Sequence, residues 1–154
     1  MKLKLFLILA IVTGLFIYAQ NVYAQTVIDK GINFLKSKQD ASGEITQGFG
    51  NASWWAAIAL AVNGIDAATV KNPSLSLKDF LLSDYPPDTA SATDWENRIL
   101  AIVAIGGDPV DFGGINYLEN LEDFSNNQQL GETYLLNDDI FGLLALIAAG
   151  DVSD

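Results

Sequence analysis

The chain has 154 residues, half of them apolar, with 19 acidic and 8 basic side chains and neither histidine nor cysteine. That length suits one domain of ordinary size. The two absences exclude a disulfide framework, zinc sites of the Cys/His type, a thiol nucleophile and a Ser-His-Asp triad. A formal charge of −11 repels phosphate backbones and argues against nucleic acid as a partner.

At the N-terminus, Lys2 and Lys4 precede an almost unbroken apolar run from Leu5 to Ala19, and Val22-Tyr23-Ala24 follows. This is the layout of a signal peptide, with cleavage expected after Ala24 and Gln25 as the new N-terminus. The run falls short of the roughly 20 residues that cross a bilayer as a helix, so removal is favoured over an uncleaved anchor. The predicted location is therefore secreted, extracellular or cell-surface. Loss of residues 1–24 removes two basic residues and no acidic one, leaving 130 residues at a formal charge of −13. Like charge at that level keeps a large apolar core soluble and repels anionic lipid.

Beyond the leader, two kinds of segment alternate. Ile28 to Lys36 is amphipathic, with Ile28, Ile32 and Leu35 on one face. Trp54 to Val62 is apolar on almost every side and stops at Asn63-Gly64-Ile65-Asp66. Ser76 to Leu82 is the next striped segment, bounded by Pro73 and the Pro86-Pro87 pair, which cannot continue a helix. Ile99 to Ile105 is again all apolar and stops at Gly106-Gly107-Asp108. Phe112 to Glu119 repeats the first striped phrase, Gly114-Ile115-Asn116-Tyr117-Leu118 matching Gly31-Ile32-Asn33-Phe34-Leu35. Ile140 to Ala149 is the last apolar run and stops at Gly150-Asp151.

Gly64, Gly106 and Gly150 stand 42 and 44 residues apart, which marks an internal repeat. Glycine at such a stop takes the left-handed conformation without a Cβ clash. Ser53, Asp94 and Asp138 or Asp139 precede the apolar runs as N-cap candidates. A helix apolar all round needs cover all round, whereas a striped helix needs it on one side. The pattern predicts an all-α chain of three helical hairpins, over about 26–66, 74–109 and 112–152, with apolar helices inside and striped helices outside.

Several of these residues resemble the prenyltransferase and squalene-cyclase repeat family. Gln39-Asp40-Ala41-Ser42-Gly43-Glu44-Ile45 keeps the spacing of that family's Gln-x-x-x-Gly-x-Trp loop, with Ile45 in the tryptophan position. Trp55 to Gly64 is similar to its inner-helix phrase Trp-Ala-x-x-Ala-Leu-x-x-x-Gly, and Asp94 to Ala101 and Leu136 to Leu146 look like further copies. The resemblance spans residues 26–152 and implies an α/α toroid, of which three hairpins form a partial ring. It does not carry an activity across. Leu136-Asn137-Asp138-Asp139 lacks the leading aspartate of the cyclases' Asp-x-Asp-Asp, and Asp138 to Gly142 does not complete an Asp-Asp-x-x-Asp metal motif. The zinc set of the prenyltransferases needs Cys and His, so no metal or other cofactor is expected.

With the inner helices parallel, their N-termini meet at one mouth. Ser53, Asp94, Glu96, Asp138 and Asp139 are expected there beside Trp54, Trp55, Trp95 and Phe141. Two readings stand. In one, Trp54, Trp55, Asp94, Trp95, Asp138 and Asp139 bind a small-molecule or surface-protein ligand, the carboxylates taking a cation, an amine or a sugar hydroxyl. In the other, Ser53 and the acids are helix caps and the aromatics Trp55, Trp95, Phe34, Phe80 and Tyr117 pack the layers. Asp138 and Asp139, adjacent on a helix, diverge by about 100° and do not converge on one atom for acid–base work. Residues 40–43 lack the alternating oxygens of a calcium loop, and Asn51-Ala52-Ser53 fits a glycosylation triplet. The expected function is a non-catalytic exported toroid, completed by further repeats or a second copy. The alternative is a terpenoid-cyclase-like enzyme whose catalytic repeats lie outside this chain.

Overall fold

The computed structural model describes residues 25–46, 52–126 and 128–150. The expected signal peptide, Asn51 and Asp151 lie outside the described residues. Among those residues every regular element is a helix, and β-pairing is confined to isolated bridges in the turns. None of these helices is long and apolar enough to cross a membrane. The chain divides into two units between Ser37 and Lys38.

In the first unit, residues 25–37 form helix α1. Gln25 donates to Asp29 one turn along at 2.9 Å, and the Ser37 hydroxyl donates to the Phe34 carbonyl at 2.7 Å. Ile32 and Leu35 are half-buried, as the stripe predicts, while Ile28 and Phe34 are exposed.

The second unit contains α2 (Ser53–Ala61), a 3₁₀ turn (Ala67–Thr69), α3 (Leu77–Ser83), α4 (Ala92–Ala104), α5 (Tyr117–Glu122) and α6 (Leu136–Ala149). Helix α4 is central and packs against α2, α5 and α6. Its Ile99 and Ile102 are fully buried with Leu60 of α2, Leu77 of α3 and Leu121 of α5. Each such side chain removed from water contributes roughly 1.5–3 kcal/mol.

The glycine stops work as the sequence predicts. After α2, Gly64 N–H donates to Ala61 O at 2.9 Å and Ile65 N–H to Leu60 O at 3.0 Å. After α4, Gly106 N–H donates to Val103 O at 3.0 Å and Gly107 N–H to Ile102 O at 2.8 Å. These are paired Schellman bonds around glycines at φ +71° and +73°, and Gly150 ends α6 at φ +78°. The acidic residue behind each of the first two stops also has a job. Asp66 accepts from the Ala68 amide and Asp108 from the Val110 amide, closing the next turn before a buried Val70 or Phe112. The first amide of the following helix then donates to a carbonyl of the joint at a different place in each: Leu77 N–H to Val70 O and Tyr117 N–H to Pro109 O, at 2.9 and 2.8 Å.

The loop after α1 is closed by side-chain hydrogen bonds. Gln39, 4% exposed, donates through Nε2 to both Gly43 O and Val70 O at 3.0 Å. Asp40 Oδ1 accepts from the Ser42 amide, the Ser42 hydroxyl and the Glu44 amide; the hydroxyl bond holds its carboxyl below the usual range. Gly43 sits at φ +90°, where a Cβ would collide with the Ser76 carbonyl.

Two expectations are corrected. Phe112 to Glu119 is not one helix: Phe112 and Ile115 pair across a tight turn through Gly113 and Gly114, and α5 starts only at Tyr117 behind Asn116. Positive φ at two consecutive glycines fits a reversal and breaks a helix. Nor are the apolar helices all wrapped. In α6 only Asp138, Gly142 and Ala145 are buried, and Leu136, Ile140, Leu143, Leu144 and Ile147 are exposed, because α4 covers one side of it.

Candidate ligand-binding cleft

The first turns of α2 and α4 lie side by side and frame a cleft of about 230 Å³ lined by Trp54, Trp55, Thr93, Asp94, Asn97 and Arg98. Trp55 is 49% exposed, its ring edge-on to Phe141 of α6 at 6.2 Å between centroids. Asp94 is the third residue of α4, and its Oδ2 accepts from the amide and hydroxyl of Ser91, both at 2.8 Å. Asn97 Oδ1 is buried with no hydrogen-bond partner, and leaving such an acceptor unmatched costs about 1–3 kcal/mol.

Beneath the cleft lies a charged network. Arg98 forms an ion pair with Asp84 at 3.0 Å and donates to the Asp84 carbonyl at 2.7 Å. Its guanidinium lies 4.6 Å from the Trp54 ring centroid, and Trp54 Nε1 donates to Asp84 Oδ2 at 2.7 Å. Trp54 also meets Phe112 and Tyr117 with centroids 6.3 Å away. Burial pushes the Tyr117 phenol above its ordinary range, an effect that Arg98 opposes.

The acids of α6 hold its approach loop. Asp138 is 3% exposed, and its Oδ2 accepts from the Glu132 amide at 3.0 Å while Oδ1 takes the Thr93 hydroxyl at 2.8 Å. Asp139 accepts from the Leu130 amide at 3.0 Å. Ser53 does the same job in α2: its hydroxyl accepts from the Ile45 amide at 2.8 Å. Ser53 and Asp139 both stand eleven residues before a helix-ending glycine, Gly64 and Gly150. Glu96 completes the group. It is fully buried, neither oxygen has a partner, and Oε1 lies 3.3 Å from where a Cβ on Gly142 would sit. Burial, with the nearby charges of Asp138 and Asp139, pushes its carboxyl up to about 8.

Of the six candidate binding residues, the cleft gathers Trp54, Trp55 and Asp94. Trp95 points elsewhere, meeting Tyr117 at 5.5 Å and lining a separate depression with Pro86 and Pro87. Asp138 reaches the cleft only through Thr93, and Asp139 is tied to its own loop. The N-cap expectation is corrected: α2, α4 and α6 begin earlier, with Ala52, Ser91 and Leu135 at the caps. The packing roles shift as well, because Tyr117 and Trp54 are buried whereas Trp55 and Phe34 are each 49% exposed. Sequence reasoning missed Thr93, Asn97 and Arg98. Arg98 is the chain's single arginine, set with Asn97 just before an all-apolar run, and that placement was the available signal.

No protein-family model, no curated protein and no solved structure matches the chain.

Proposed function

We propose that the protein is an exported, non-catalytic scaffold of helical hairpins, of the prenyltransferase and squalene-cyclase repeat kind, that holds a small polyhydroxylated ligand at the cleft between α2 and α4. The observation that carries this is the half-exposed Trp55 lining one cleft together with the Asp94 carboxylate and Asn97. An aromatic face with nearby acceptors suits a sugar-like ring, whose C–H side stacks while its hydroxyls donate. Asp94 uses only Oδ2 for its helix cap, which leaves Oδ1 as a second acceptor. A binding rather than catalytic role is favoured because Asp138 and Asp139 are already engaged by loop amides.

The test is a panel of mono- and disaccharides titrated against tryptophan fluorescence. Binding is expected for at least one sugar, lost in Trp55→Ala, weakened in Asn97→Ala and kept in Trp95→Ala. No response across the panel, or binding that survives Trp55→Ala, overturns the proposal. N-terminal sequencing of secreted material, expected to begin at Gln25, tests export.

A further inference from the structure

Buried polar groups are hydrogen-bonded with few exceptions, and Glu96 is such an exception. It is fully buried, and neither carboxyl oxygen has a partner among the described residues. The side chain lies where α4 meets α6. Gly142 leaves room for it, Oε1 standing 3.3 Å from the place a Cβ there would take, and the Leu130 side chain closes over the same glycine. Asp138 and Asp139 are near enough for their charges to act on it. Those two acids also hold the approach loop, through the Glu132 and Leu130 amides. A protonated acid suits this place, whereas a carboxylate adds a third negative charge with no donor to meet it.

The helices packed on α4 bring no cation to offset that charge. Helix α2 has no ionisable residue, and α6 has only its two acids. In α5, Tyr117 meets Trp54 and Trp95, while Glu119 and Glu122 are exposed and acidic. Within α4, Asp94 is bonded to Ser91 and Arg98 is paired with Asp84. Glu132 of the approach loop is exposed and acidic as well.

We infer that the junction of α4 and α6 is a pH-operated latch: with Glu96 protonated, α6 and the loop 129–135 stay closed on α4, and loss of that proton releases them while α2 and α5 keep their places. Helix α6 can part on its own because α4 is its main helical neighbour. The release reaches the cleft, since Asp138 holds the Thr93 hydroxyl and Phe141 meets Trp55. The direction follows from which form holds the proton. In the closed form Glu96 is pushed from 4.5 to about 8, chiefly by burial, and release returns it towards its ordinary range. Rising pH therefore favours the open form between 4.5 and about 8, by at most about tenfold per pH unit, and then has no further effect. Acid closes the latch.

Hydrogen exchange of single amides, followed by NMR from pH 5 to 9 and corrected for the intrinsic rate at each pH, tests this. The Leu130 and Glu132 amides report the latch. The Ile65 and Gly107 amides, bonded to Leu60 O and Ile102 O, report the helices that stay. Leu130 and Glu132 are expected to be less protected than Ile65 and Gly107 by about tenfold or more, the mark of opening short of global unfolding. Their protection is expected to fall by up to about tenfold per unit from pH 5 to 8 and then level off. Glu96→Gln, which has no proton to lose in this range, should remove that fall. Protection at Leu130 and Glu132 equal to that at Ile65 and Gly107, or independent of pH, overturns the inference in the native protein alone. An undiminished fall in Glu96→Gln overturns it through the variant.

Discussion

The Thr93 hydroxyl donates to Asp138 Oδ1 at 2.8 Å across 45 positions of sequence, and this bond fastens the start of α6 to the start of α4. The other oxygen of the same carboxylate takes the Glu132 amide. Asp138→Ala therefore strips partners from a part-buried hydroxyl and a loop amide together. The expected loss is about 2–4 kcal/mol, given that hydrogen bonds to charged groups are worth roughly 1.5–3 kcal/mol each. Urea unfolding checks it. Thr93→Val, which removes one bond and keeps the shape, should lose less than half as much.

Glu96 gives the protein a stability that declines as pH rises. Its ordinary value is 4.5 and the fold pushes it to about 8. Above pH 4.5 the unfolded chain releases this proton while the folded chain keeps it, so unfolding is favoured increasingly up to pH 8 and then levels off. The slope is at most about 1.4 kcal/mol per pH unit for one group. Melting temperature followed from pH 5 to 8.5 should fall in the native protein and stay flatter in Glu96→Gln, which should be the more stable of the two at pH 8. An unchanged slope in the variant would show that Glu96 does not carry the effect. Asp40 and Asp79 have carboxyls shifted downward by serine hydrogen bonds, and they act only in the acid range.

Asp84 neutralises Arg98 and accepts from Trp54 Nε1. Asp84→Ala leaves a guanidinium whose side chain is 10% exposed without its counter-charge. Breaking one half of a buried pair costs up to 3–5 kcal/mol, and partial access of water here brings the expectation to about 2–3 kcal/mol. Denaturation of Asp84→Ala, Arg98→Ala and the double variant forms the cycle. The double variant should be less destabilised than the sum of the single ones.

Much of the fold is legible in the sequence because helix stops are local. Gly64, Gly106 and Gly150 announce themselves, and the backbone adopts the left-handed turn at each. The Gln39 to Ile45 phrase stands out only by its resemblance to a family loop, and its closure by the Gln39 and Asp40 side chains is a finding of the structure. Helix starts were harder. Ser53, Asp94 and Asp139 carry cap-like side chains, yet Ser53 and Asp139 bind incoming loop segments and Asp94 reaches back to Ser91. Composition cannot tell an N-cap from a third or fourth residue when both favour the same oxygens. Trp54 and Trp55 are adjacent, and only the position of α4 decides which is buried. The Asp84–Arg98 pair joins the end of α3 to α4, a juxtaposition no short motif encodes.

The twin joints at 64–70 and 106–112 bear on how this chain can change length. Each fixes the angle between one helix and the next with the same few backbone contacts. A gene rearrangement that adds or drops a whole module, 42 residues from glycine to glycine, would keep every joint intact. An insertion inside either joint would break it, whereas the 44 residues from Gly106 to Gly150 show that the length between joints can differ.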